Sequence, residues 1–132
     1  MTTTVVALLD SLRAHLAAFE LPDLCSVYVT RSFRGPNVTA QLACHTPPQI
    51  TSALLAWADT LTEVTVEAWR VPNGDSVHLS VLARLPGGVS IQVYGAMPFT
   101  EHGIGADLAP DASTTVALAV LQERATVGEG TI

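Results

Sequence analysis

Apolar and polar positions alternate in mutually consistent register along residues 62–71, 76–85 and 89–97, and two glycine-bearing turns separate these runs. Pro72-Asn73-Gly74-Asp75 places Asn-Gly between alternating segments, the strongest short-range hairpin signal. Folding the first two runs about Asn73 and Gly74 sets Val64 opposite Ala83, Val66 opposite Val81 and Ala68 opposite Leu79. The reverse face then pairs Glu63 with Arg84, Glu67 with Ser80 and Trp69 with His78. A three-residue turn at Pro86-Gly87-Gly88 preserves parity and pairs Leu85 with Val89, Ala83 with Ile91 and Val81 with Val93. A slip of one residue would send every apolar side chain to the wrong face, so the agreement predicts a three-stranded meander with one apolar face.

Upstream the period changes. Val5, Leu8, Leu9, Leu12, Leu16 and Phe19 recur at three- and four-residue steps, which predicts an amphipathic helix over 4–20, capped by one of Thr2–Thr4. Residues 24–31 and 37–45 read as two further strands around Ser32-Phe33-Arg34-Gly35-Pro36. Centred on Arg34 and Gly35, that hairpin sets Val27 opposite Leu42, Val29 opposite Ala40 and Cys25 opposite Cys44, with Tyr28, Thr30, Gln41 and His45 on the other face. Thr46-Pro47-Pro48-Gln49 opens a second helix with a capping-box pattern and prolines in the first turn, where their missing N–H groups cost nothing. Its apolar stripe is Ile50, Leu54, Trp57 and Leu61.

The expected fold is therefore an α+β two-layer sandwich, with a largely antiparallel five-stranded sheet and two helices on one face. Residues 1–97 form the α+β domain. Residues 98–132 are expected as a loop over Pro98–Pro110, a short C-terminal helix begun by Asp111, Ser113 and Thr114, and a frayed tail from 126 onward, giving the order α-β-β-α-β-β-β-α.

Composition narrows the function classes. The 132-residue chain is 48% hydrophobic and 14% charged, which suits one globular domain. A net charge of −6 with six scattered arginines and no lysine argues against nucleic-acid binding. It also excludes a Schiff-base lysine and a Walker-type phosphate loop, and it matches the codon bias of a high-GC genome. The N-terminal apolar run lacks a basic leader and is broken by Asp10, Arg13 and His15, so neither a signal peptide nor a membrane span is expected and the location is expected to be cytoplasmic.

Local motifs for chemistry are few. Cys25 and Cys44, though expected to face each other, have no CxxC spacing and read as small buried hydrophobes in a reducing compartment. His15, His45, His78 and His102 show no metal-ligand spacing. Glu67 and His78 could act as acid and base, but an open sheet face offers no concave site. Gly103-Ile104-Gly105 is too short for a phosphate loop. No catalytic residue, metal or cofactor is assigned.

The remaining feature is the outer face of the sheet, where Trp69, Tyr94, Leu82, His78 and Tyr28 sit among polar residues, with Glu67 and Arg84 at the rim. Aromatic residues on such a face supply the large contact areas of protein interfaces. In gross plan the chain is similar to small acidic adaptor and secretion-chaperone-like domains, with two strands before the second helix where that plan has three. The same plan is similar to that of phage tail-terminator and neck proteins. The expectation is a non-enzymatic interaction module that pairs with itself or docks another protein through the open face, without nucleic-acid or membrane partners. The alternatives are a phage or mobile-element structural protein, and a small-molecule-binding protein or enzyme with a pocket near the Pro98–Pro110 loop.

Overall fold

The computed structural model describes residues 4–31 and 34–129. Its elements run α1 (Val5–Ala18), β1 (Leu24–Val29), β2 (Val38–Leu42), α2 (Pro47–Ala58), β3 (Thr62–Arg70), β4 (Ser76–Arg84), β5 (Ser90–Pro98), β6 (Ser113–Val116) and α3 (Leu118–Glu129). One sheet contains all six strands in the order β1-β2-β5-β4-β3-β6. The fold is α+β, as the patterning requires, but the sheet is mixed and has one strand more than expected.

The meander folds in the expected register over most of its length. Val66 faces Val81, Ala68 faces Leu79 and Trp69 faces His78, while β4 and β5 pair Val81 with Val93 and Ala83 with Ile91. Gly74 adopts φ +81° in the first turn, a conformation that L side chains rarely take. At the far end of β3 the ladder slips. A bulge between Thr62 and Thr65, with Glu63 at φ 53°, sets Thr62 rather than Glu63 opposite Arg84 and removes the expected Val64–Ala83 pair. The Glu63 carboxylate still meets Arg84 Nε at 2.7 Å.

The first hairpin departs further. Val27 faces Ala40 and Val29 faces Val38, two residues from the expected register, so the apolar side chains keep their face. The hairpin closes between Thr30 and Asn37, whose side-chain amide donates to the Thr30 carbonyl at 3.1 Å. A bulge at Cys25 offsets the strand start, so Cys25 and Cys44 do not pair; both thiols are free, and Cys25 Sγ points to the Leu42 carbonyl at 3.5 Å. His45 lies in the turn before α2 rather than on the outer face.

The fold also differs from the expected one between and beyond these units. The β2–β5 pairing is parallel, with Val38 beside Ile91 and Ala40 beside Val93. Residues 113–116, expected to lead into a helix, form β6 and pair antiparallel with β3. α3 then runs to Glu129, past the expected start of the frayed tail; residues 130–132 lie outside the described residues.

The core lies between the sheet and the helices. Val66, Ala68, Leu79, Val81, Val93 and Ala40 line the sheet side, while Ile50, Leu54 and Trp57 of α2 and Leu121 of α3 close over them. α2 can lie close because β5 carries Gly95 beneath it, where an added Cβ would come within 2.8 Å of Ile50. Thr4 caps α1 by accepting from the Ala7 N–H, and Thr46 caps α2 by accepting from the Gln49 N–H.

α1 contributes a buried polar group. His15 is 3% exposed and stacks on Trp57 at 5.9 Å between ring centroids. The Thr60 hydroxyl donates to the Trp57 carbonyl at 2.8 Å, so at the 2.7 Å contact between His15 Nε2 and Thr60 Oγ1 the imidazole is the donor. Nδ1 is then the unprotonated nitrogen, and it is buried without a partner. Burial holds the His15 pKa below its ordinary value of 6.5.

The unfolded chain takes up this proton at a higher pH than the folded one. The stability contributed by the neutral ring is therefore complete above pH 6.5 and declines as pH falls below it. Urea midpoints should drop between pH 7.5 and pH 5, and the drop should be smaller in His15→Gln, which keeps a donor for Thr60. An equal drop in that variant would reject His15 as a source.

Candidate functional site

The helices all cover one side of the sheet, and the other carries the aromatic group. Trp69 on β3 stands directly across from His78 on β4, their rings meeting edge to face at 5.2 Å and 88°. Tyr94 on β5 lies diagonally beyond, its ring stacked on His78 at 5.2 Å and 19°. Strand parity aims all three outward, and pairing across neighbouring strands brings the rings into contact.

Both ends of this row are tethered. The indole Nε1–H of Trp69 donates to Asp111 Oδ1 at 3.1 Å, and the Tyr94 hydroxyl donates to Gln41 Oε1 at 3.3 Å. Gln41 Oε1 also accepts from Ser26, so its amide links the two hairpins across the open face. Desolvation between the neighbouring rings lowers the pKa of His78 from 6.5, leaving the imidazole neutral at physiological pH.

The other expected site residues are more dispersed. Leu82 pairs with Gln92 and Thr65 in the next row, and Glu67 sits opposite Ser80. Tyr28 lies on edge strand β1, two strands from Tyr94, and is 66% exposed. Arg84 is held at the rim by Glu63 and donates to the Gly88 carbonyl at 2.7 Å. No hydrogen bond joins Glu67 to His78 among the described residues, so the acid–base pairing considered from sequence is not assembled. The described residues also contain no group of three or more potential metal ligands.

Two features carried weaker signals. Arg70 falls on the helix-facing side of β3 by parity, a cation in an otherwise apolar row. Its guanidinium lies over the Phe99 ring at 3.6 Å, and it donates to the Gly74 and Leu108 carbonyls, fastening the 99–111 loop to the β3–β4 turn. Asp111, which holds the indole, is 42 residues from Trp69 and has no local motif that would mark it.

A groove of about 380 Å3 opens where the first turn of α2, the end of β5 and the 100–104 loop meet α3. Pro47, Met97, Pro98 and Ile104 make it apolar, and Arg124 stands beside it, donating to the His102 carbonyl at 2.9 Å.

No family model, no curated protein and no solved structure matches this chain. No helix among the described residues is long and apolar enough to cross a membrane.

Proposed function

We propose that this protein is a non-enzymatic interaction module, adaptor- or chaperone-like, that docks a protein partner through the open face of its sheet. The observation that carries this reading is the Trp69–His78–Tyr94 row: three aromatic rings in successive contact, tethered at both ends and covered by none of the described helices. Rings already fixed in place lose little conformational freedom on binding, which is what an interface anchor requires. Leu82 extends the apolar centre, Glu67 and Arg84 supply a polar rim, and Tyr28 adds an outlying contact.

Trp69→Ala should leave the fold intact and weaken partner binding by about 2 kcal/mol or more, roughly 30-fold. Parallel affinity capture from source-cell lysate with wild type and variant, quantified by mass spectrometry, makes the comparison. A protein retained by wild type and lost from a folded Trp69→Ala variant is the expected result; equal recovery with both would reject the open face as the docking surface.

The groove beside Arg124 favours a second reading, a small-molecule site. Its volume falls within the range of known ligand pockets, and its one cation over an apolar lining suits an apolar acid. Thr51, Thr100 and His102 also line it, but no hydrogen bond joins the His102 ring to either hydroxyl among the described residues, and this reading is one of binding.

A further inference from the structure

The exposed hydrophobic side chains of this fold are concentrated at one edge. Among the described residues, Val5, Val6, Leu9, Leu16 and Phe19 of the α1 segment and Val27 of β1 are each 41–65% exposed. Leu8 and Leu12 turn one side of α1 into the protein, while Val5, Leu9 and Leu16 form a second apolar facet beside it, which Val6 extends along the hollow facing β1. Val27 and Leu16 line both of the shallow hollows between α1 and β1, so the apolar surface runs without interruption from helix to strand. β1 is also an edge strand, and its sequence Leu-Cys-Ser-Val-Tyr-Val contains no lysine, proline or other charge to discourage pairing. Its bulge lies at Cys25, which leaves Ser26–Val29 regular.

We propose that this edge is a self-association surface, on which a second copy of the chain pairs its β1 antiparallel to the first. The strand is complementary to itself. With Val27 opposite Val27 of the second copy, Ser26 meets Tyr28, and every side chain stays on its own face of the joined sheet. The two-fold axis then lies perpendicular to the sheet, so both α1 facets remain on the helix side and meet over the paired valines.

Area supports a second copy as the occupant. Asp10 and Arg13, beside one of the two hollows, neutralise each other at 2.9 Å, and Glu20 and Asp23 border the other. The exposed apolar side chains amount to on the order of 500 Å2 per copy, most of the ~800 Å2 each partner contributes to a standard interface.

This inference does not rest on the open face as a docking surface, and Trp69→Ala separates the two. The test is the solution mass of the full chain by size-exclusion chromatography with light scattering, with folding checked by circular dichroism. Wild type and Trp69→Ala should both run at twice the 13.9 kDa chain mass. Val27→Lys, which puts a charge on the paired strand, and Val6→Glu, on the helix facet, should run as monomers. Val6 is 65% exposed, so its variant remains informative if Val27→Lys fails to fold. A monomeric wild type, a folded Val6→Glu dimer, or a folded Trp69→Ala monomer would each overturn the proposal.

Discussion

Replacing Trp57 by alanine should cost about 3–5 kcal/mol, a fifth or more of the stability of an ordinary domain. Trp57 is fully buried on α2, beneath His15 and over the apolar side of the sheet, so truncation empties a ring-sized volume shared by α1, α2 and the strands. Backbone relaxation cannot fill it easily, because α2 is already seated on Gly95. Trp57→Phe should cost much less. It retains most of the packing volume and removes an indole N–H that is buried without an acceptor. Urea unfolding measures both variants, and Trp69, the other of the two tryptophans, remains as the fluorescent reporter. An alanine variant within 1 kcal/mol of the phenylalanine variant would contradict a close-packed site.

The second large effect is expected at Leu121. This α3 residue is fully buried in the main core, whereas Leu118, one turn earlier, is 40% exposed. Leu121→Ala should lose about 2–5 kcal/mol, and Leu118→Ala should stay within about 0.5 kcal/mol of wild type. The contrast tests how far the last third of the chain belongs to the core, since a loosely attached α3 would make the two substitutions alike. Thermal unfolding of the three proteins decides it.

Each element is legible in the sequence to the extent that short-range interactions determine it. In the meander, neighbouring strands are joined by short turns, and side-chain parity with Asn73-Gly74 is enough to set Val66 against Val81. The bulge at Glu63 escaped because the pattern carries no mark for a single extra residue. The first hairpin slipped by two because its closure is not chosen by Arg34 and Gly35. It depends on Asn37, which reaches both Thr30 and the distant Ser90. β6 was obscured by the apolar run after it, although the β-branched run Thr114-Thr115-Val116 was a strand signal; it forms because β3 offers an edge. The outward residues of the site were legible by parity, but their grouping was not. Strand order brings Trp69, His78 and Tyr94 together and leaves Tyr28 apart, and no periodicity reveals strand order.

The parallel seam between β2 and β5 has a consequence for assembly of the chain. Residues joined across it, such as Asn37 and Ser90, are 53 apart in sequence, whereas the meander closes through short turns. Loop-closure entropy makes the seam a late event, formed after the meander has presented the edge of β5. Until then β2 and β5 both have open edges, and β5 can accept β2 from another molecule in the same parallel register. At high concentration, refolding chains can thus exchange α1, β1 and β2, with the segment before α2 as the hinge.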